Sequence, residues 1–366
     1  MRQMRILLQG SLGLYGVEVF VNSLAYYLRQ RQIEVSINAP LGRFLIRKGF
    51  QRPSSLRSFE NHRIRNRSNG SIDLFHLNYA FASLPVLFRP FAKSPLLYTA
   101  HGVPQPEMEP ELMFRVGYTL EKMSLKYVAS RASAVIAISQ YVQSLLKKNY
   151  GIRSQVIRNG VDTELLHPVS LDEKRVLRYH IGVPEEKRII LFVGRLYPYK
   201  DPLTLVRSMP KIISELPNCV FTFIGDGPLR KTIISEVSKV GLRDFFRLLP
   251  YLPRSKLIEW FQIADAYVST SPTEMLGFSV LEAMSCGVPV VAADSGGPVE
   301  ILGNSGAFFR ARDENDLAEK ILTILQDEDL SSKMGQAERE IVLSNFEWKN
   351  VARRYAEQYQ TLISRH

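Results

Sequence analysis

The chain has 366 residues, 45% of them apolar and 23% charged, a composition ordinary for globular domains that excludes extended disorder. That length exceeds the usual limit for one core and favours two domains, while only two cysteines, Cys219 and Cys286, exclude a disulfide framework or a cysteine-rich metal site. The net charge of +11 is lopsided: residues 1–180 hold 25 Lys/Arg against 12 Asp/Glu, and residues 181–366 hold 22 against 24.

The opening Met1 to Arg5 is too short for a signal h-region and no run of about 18 apolar residues occurs, so a cytoplasmic chain is expected. The strand Ile6-Leu7-Leu8 leads into a glycine-rich turn, Gly10 to Gly16, and a helix over Val17–Arg29. Glycines there permit close backbone approach, and the helix start offers N–H groups to an anion, so phosphate is the natural guest. The spacing is not G-x-G-x-x-G, and a purely structural turn stays open. Arg43, Arg47, Lys48, Arg52, Arg57, Arg63, Arg65 and Arg67, with Phe44 and Phe50 between them, suit an anionic membrane surface or equally a solvated face. Apolar runs at 72–77, 96–99 and 134–138 alternate with helical stretches at 111–131 and 140–149, which reads as parallel α/β. His101, directly after a strand and beside Gly102, projects toward the strand ends, where it can donate to a sugar hydroxyl or, protonated, stabilise an anion. The alternative is a satisfied structural histidine. Asn159-Gly160-Val161-Asp162 reads as a turn orienting a hinge. A looser stretch, 167–187, holds Pro168, Pro184 and mixed charge, and the domain boundary is expected inside it.

The second half repeats the pattern, with strands at 188–193, 220–224, 266–269 and 288–292 and helices from about 201, 257 and 280. Two doubly wound halves would leave a cleft at the carboxyl ends of their strands. Arg195 and Lys200 leave one strand end within five residues and are suited to stabilising a departing diphosphate; a pair of solvated cations is the alternative. Gly225-Asp226-Gly227-Pro228 and Asp294-Ser295-Gly296-Gly297 place glycines after strands, to hug a ligand or simply to turn. Glu274 and Glu282, eight positions apart in a loop and a helix, can each accept two hydroxyl hydrogen bonds and so grip a ribose and a hexose together. No H-x-x-x-H, D-x-D or cysteine pair suggests a metal, so no metal ligands are assigned.

Taken in order, Gly16-Val17-Glu18, Thr99-Ala100-His101-Gly102, Asn159 to Asp162, Gly194-Arg195 with Lys200, Gly225 to Pro228, the E-x7-E pair and Gly296-Gly297 with Glu300 resemble the retaining glycosyltransferases of family 4 (group 1). The resemblance implies a GT-B architecture, two facing Rossmann-like domains with an interdomain cleft. Residues 1–170 would bind the acceptor, 171–345 the nucleotide sugar, and 346–366 would form a helix crossing back to the first domain. It also implies that Glu282 holds the ribose, Glu274 the transferred sugar, and Arg195 and Lys200 the diphosphate with help from the Gly16 backbone. His101 would lie beside the sugar, and Gly225, Gly277 and Phe278 along the donor. Tyr15, Pro250 and Met275-Leu276 depart from the family pattern and put donor choice in doubt.

The expected activity is retaining, metal-independent transfer of a hexosyl unit from a UDP- or GDP-sugar to a lipid-linked or polysaccharide acceptor, without a cofactor. Nucleic acid is not an expected partner, and the place of action is the cytoplasm or the inner membrane surface. A nucleotide-sugar epimerase of GT-B architecture and a non-enzymatic basic lipid- or nucleic-acid-binding protein are the alternatives.

Overall fold

The computed structural model describes residues 3–9, 15–38, 72–87, 94–105, 108 and 112–366. The basic cluster at 43–67 and most of the glycine turn, 10–14, lie outside the described residues. The chain divides into two compact units, one running to Gly160 and taking in Trp348–His366, the other Val161–Glu347. Among the described residues no helix is long and apolar enough to cross a membrane.

The first unit is a parallel sheet of β1 (Arg5–Gln9), β2 (Glu34–Asn38), β3 (Leu74–Leu77), β4 (Leu96–Ala100), β5 (Ala134–Ala137) and β6 (Gln155–Val156), in the order β2-β1-β3-β4-β5-β6. Helices α1 (Tyr15–Gln30), α2 (Ala80–Leu87), α3 (Leu112–Arg131) and α4 (Gln140–Tyr150) connect the strands. Strand β1 leads outward to β2 while β3 leads the other way to β4, so the connections part between β1 and β3, where open α/β sheets bind ligands at their carboxyl ends. Apolar residues at helical spacing, Phe20, Leu24 and Leu28, bury one face of α1. Against α1 packs the last helix, Trp348–Ser364, with Trp348 and Tyr355 on Phe20. The phenol of Tyr359 meets His76 Nδ1 at 2.6 Å, and the opposite ring nitrogen meets Thr99 Oγ1 at 2.8 Å. His76 thus locks the terminal helix to the sheet, a role the sequence did not disclose.

The second unit has β7 (Arg188–Val193), β8 (Cys219–Ile224), β9 (Phe246–Leu249), β10 (Ala266–Ser269), β11 (Val290–Ala293) and β12 (Ala307–Phe309), all parallel, in the order β12-β11-β10-β7-β8-β9. Its helices are α5 (Leu171–Ile181), α6 (Pro202–Glu215), α7 (Arg230–Lys239), α8 (Arg254–Ile263), α9 (Phe278–Ser285), α10 (Gly297–Leu302), α11 (Glu314–Gln326) and α12 (Glu328–Asn345). The strands are apolar on both faces because both faces are covered: Phe221, Phe223 and Val268 pack with Leu205, Met209, Leu317 and Ile321 in one core. Here the connections part between β7 and β10.

Two expectations shift. The stretch 167–187 is not loose, because α5 occupies it, opened by a reciprocal cap between Ser170 and Glu173 and closed by Gly182 in the left-handed conformation. The break between units falls at Gly160/Val161, inside the Asn-Gly-Val-Asp turn and ten residues before the expected 170/171. Residues 161–170 belong to the second unit, held by the Val161 amide donating to Phe346 O at 2.7 Å and by Ser285 Oγ on the Leu166 carbonyl at 2.5 Å. The return break falls at Glu347/Trp348, against an expected 345/346.

Candidate functional site

Four loops leave the carboxyl edge of the second sheet side by side, following β11, β10, β7 and β8. They are tied to one another by hydrogen bonds to main-chain carbonyls. Thr270 and Ser271, after β10, donate their hydroxyls to the carbonyls of Lys200 and Tyr199 at 2.8 Å each, which fixes the short helical turn Pro198–Lys200. Ser295, after β11, holds Pro272 O at 2.9 Å. After β8, the Gly194 amide donates to Ile224 O and the Leu196 amide to Asp226 O, at 3.0 and 2.9 Å.

The glycines have their cause in this interlocking. A Cβ on Gly225, at φ +151, would stand 2.0 Å from Gly194 O, so the close approach there is made by the chain's own Arg195 loop. A Cβ on Gly297 would lie 2.5 Å from the Leu276 Cα, and the Gly297 amide donates to Glu274 O at 2.7 Å. Of the two readings open for Gly296-Gly297, the geometry gives that amide to the backbone of the Glu274 loop.

On this scaffold Lys200 and Glu274, both singled out from sequence, come into contact. Lys200, from the β7 loop, forms an ion pair with Glu274, from the β10 loop, at the point where the connections part. Glu282, in the second turn of α9 and 4% exposed, pairs with Arg254 at the start of α8. Arg195 lies over two aromatic rings, its guanidinium carbon 5.5 Å from the Tyr197 centroid and 5.2 Å from that of Tyr199, which orients the planar fork. Gly277 caps α9 in the left-handed conformation, and Phe278 is the half-buried first residue of that helix.

Two residues escaped the sequence reading. Arg254 stands beside Glu282 although the two are 28 positions apart. Tyr267 is buried under both carboxylates: burial pushes its phenol well up, the negative charges of Glu274 and Glu282 add to that, and its hydroxyl lies 3.4 Å from Val193 O. A tyrosine inside an apolar strand carries no sequence signal separating it from core; for Arg254, a cation heading a helix after a strand was the available hint.

His101 and Gly16 lie in the first unit, His101 just after β4 and Gly16 in the first turn of α1. The His101 ring packs edge-on against Phe20 at 4.6 Å, and burial lowers its pKa to about 3, so the protonated, anion-stabilising form is excluded at neutral pH. Its tautomer follows from the network. Asn78 Nδ2 donates to Gln9 O at 2.6 Å, which turns Asn78 Oδ1 toward His101 Nε2 at 3.0 Å; Nε2 must therefore carry the proton. His101 Nδ1 is then a buried acceptor, with no hydrogen-bond partner among the described residues. In this tautomer Nδ1 is able to accept a hydrogen bond and not to donate one.

Both cysteines are free and buried, their thiols pushed up to about 12 chiefly by burial. Among the described residues no three His, Cys, Asp or Glu side chains are grouped to hold a metal ion.

Comparison with known proteins agrees with this fold. The sequence model described as Glycosyltransferase Family 4 matches residues 15–165, and that described as Glycosyl transferases group 1 matches residues 173–341. The D-inositol 3-phosphate glycosyltransferase of Thermobispora bispora is 31% identical over 225 residues, covering 58% of this chain and 51% of that protein. A GDP-mannose-dependent alpha-(1-6)-phosphatidylinositol monomannoside mannosyltransferase of Mycolicibacterium smegmatis is 27% identical, over 64% of each chain. The chain thus spans between about half and two thirds of the length of these two relatives. Among solved structures, sucrose-phosphate synthase from Thermosynechococcus elongatus superposes with a TM-score of 0.78 at 21% identity over the whole of both chains. Anabaena HepE, solved with UDP and glucose, gives 0.73 at 23% identity over 98% of this chain and 100% of that one. These two likenesses speak for the fold alone, which is GT-B. With both halves matched in order and the motif residues standing at the strand ends, the chain belongs to the family 4, group 1 glycosyltransferases.

Proposed function

We propose that the chain is a retaining, metal-independent glycosyltransferase that moves a hexosyl unit from a UDP- or GDP-sugar to a lipid-linked or polysaccharide acceptor. The observation that carries this reading is the meeting of Lys200 with Glu274, beside Arg254 with Glu282, where the connections of the second sheet part. Two carboxylates suit two polyols, and cations beside them suit a diphosphate, so the cluster has the charge pattern of a nucleotide sugar.

In this reading Glu282 holds the ribose hydroxyls and Glu274 those of the sugar, while Arg195 and Lys200 bind the diphosphate. Gly16 contributes its backbone at the start of α1. Gly225, Gly277 and Phe278 shape the wall along the donor, and His101 Nδ1 accepts from a sugar hydroxyl. The bond from the anomeric carbon to the diphosphate oxygen breaks as the acceptor oxygen bonds to the same face, and the departing diphosphate takes the acceptor's proton. The chain's part is electrostatic: removing one preorganised partner of developing charge typically costs about 3–4 kcal/mol, or 10²–10³-fold in rate. The mycobacterial relative, named for GDP-mannose and a phosphatidylinositol mannoside, supports a lipid-linked acceptor and a GDP-linked donor. Such an acceptor would place the work at the cytoplasmic face of a membrane.

A panel of radiolabelled UDP- and GDP-sugars with membrane extract, run with and without EDTA, tests the proposal. Transfer unaffected by EDTA, with anomeric configuration kept, is the expected result. Absence of both transfer and nucleotide release with every donor would count against it. An isomerised sugar formed without acceptor would point to a GT-B epimerase, and indifference to all nucleotide sugars with salt-sensitive polyanion binding to a non-enzymatic module.

A further inference from the structure

Three polar side chains stand on neighbouring strand ends at the carboxyl edge of the first sheet: Gln9 closes β1, Asn78 follows β3 and His101 follows β4. Gln9 belongs to none of the motifs singled out from the sequence, yet it is buried and closely bonded. Its Oε1 accepts the main-chain amides of Asn78 and Tyr79 at 2.8 and 3.0 Å and the Ser83 hydroxyl at 3.0 Å. Backbone N–H groups can only donate, so the Gln9 amide cannot be turned over: Oε1 faces them and Nε2 points away.

The same constraint runs through Asn78 to His101, whose Nε2 carries the proton and whose Nδ1 is left as an acceptor. All other polar side-chain atoms of the trio are matched. Gln9 Nε2 and His101 Nδ1 are buried and have no hydrogen-bond partner among the described residues, each other included. One is a donor and the other an acceptor. Leaving buried polar groups unpaired is costly, and a ligand able to serve both would remove that cost.

The two roles define the ligand's chemistry. A phosphate or an ionised carboxylate only accepts and would leave Nδ1 unserved, an ammonium group only donates and would leave Nε2 unserved, and hydroxyls do both. We propose that Gln9 and His101 together bind carbohydrate hydroxyls, Gln9 Nε2 donating to a hydroxyl oxygen and His101 Nδ1 accepting from a hydroxyl. Gln9 is thereby a sugar-recognition residue of the first unit. This rests on the reading of the chain as a glycosyltransferase and adds to it the side chain that donates. The transferred sugar and a glycan acceptor share this chemistry, and binding measurements separate them.

Gln9→Glu is the discriminating variant. It keeps an oxygen for the two amides and the Ser83 hydroxyl and replaces only the NH2 group, so the internal network stays and the donor goes. UDP, GDP and the UDP- and GDP-sugars of the donor panel are titrated into the full chain by calorimetry, and transfer is then followed against membrane extract. If the transferred sugar supplies the hydroxyl, Gln9→Glu should bind the bare nucleotides as wild type does and the nucleotide sugar about ten-fold more weakly. If the acceptor supplies it, both affinities should hold while half-saturation with extract rises about ten-fold. Ser83→Ala removes one bond to Oε1 and leaves Nε2 in place, so it should lower the melting temperature without either loss. Wild-type binding and half-saturation in Gln9→Glu overturn the proposal, as does an equal loss for nucleotide and nucleotide sugar, which is charge repulsion. So does a matching loss in Ser83→Ala, or a Gln9→Glu chain that fails to fold, since either makes the Gln9 amide a structural element. A wild-type chain that binds no nucleotide and no nucleotide sugar would instead remove the transferase reading, and this assignment with it.

Discussion

Lys200 Nζ donates to the Glu274 carboxylate across 74 positions of sequence, each side chain about one fifth exposed. The pair joins the loops of β7 and β10, neighbours whose connections run opposite ways. A donor binding there would divide the pair, taking the carboxylate for sugar hydroxyls and the ammonium for phosphate. Lys200→Ala and Glu274→Ala should each lower the transfer rate by about 10²–10³-fold, and the double variant should lose less than the product of the two. Full additivity in steady-state rates would mean that the residues act independently.

Binding and turnover should separate between Glu282 and Arg195. Glu282→Ala is expected to weaken UDP or GDP binding by calorimetry, because it removes the buried acceptor on α9. Arg195→Ala should reduce turnover by more than it weakens ground-state binding, since charge on the diphosphate grows as the bond breaks. Equal rates for wild type and Arg195→Ala would remove that assignment.

Gly297→Ala tests whether the glycine pair serves the Glu274 loop. Its Cβ would lie 2.5 Å from the Leu276 Cα and 2.6 Å from Met275 O, so the loop must shift. Overpacking of this kind costs about 1–3 kcal/mol. Urea unfolding should show a loss of that order, with activity falling further than stability explains. Full activity at reduced stability would show that Glu274 tolerates the shift.

Acid should destabilise the first unit through its buried histidines. Burial holds both His76 and His101 below the ordinary value, His101 at about 3, and the neighbouring His101 lowers His76 further. The unfolded chain takes up these protons near pH 6.5, the folded chain only well below, so their contribution is complete above about 6.5 and is lost as pH falls. Each group adds up to about 1.4 kcal/mol per pH unit in that window. Glu338, buried on α12 and accepting the Val290 amide, runs the other way. Its raised pKa favours the folded state below the ordinary carboxyl range, an advantage lost as pH rises through the folded value. Urea midpoints of His101→Ala and wild type should converge between pH 7 and 5, while Glu338→Gln should gain on wild type toward pH 8. Parallel pH profiles would dismiss both.

Tyr359→Phe removes the phenol at 2.6 Å from His76 Nδ1 and leaves a buried nitrogen without its partner. A loss of about 1–3 kcal/mol is expected. Limited proteolysis should then cut near Trp348 sooner than in wild type; unchanged proteolysis would mean that Tyr355 and packing hold the helix alone.

The sequence by itself settled the alternation of helix and strand, the parallel sheets and the family, because apolar runs of strand length and glycines just after them are local patterns. The carboxylates of Glu274 and Glu282 were legible for the same reason, standing on one loop and the helix it enters. Helix α5 reads in the sequence as a loose stretch although Ser170, Glu173 and Gly182 mark its ends, because it buries Arg178 in place of an apolar stripe and its periodicity is weak. Which charges meet was not legible. Arg254 reaches Glu282, and Lys200 reaches Glu274, only because β10 adds beside β7 and not beside β9, and strand order is a property of the assembled sheet. The proton on His101 was likewise decided by tertiary structure, since Gln9 and Asn78 fix it from strands far away in the chain, and no spacing in the sequence records the burial that keeps the ring neutral.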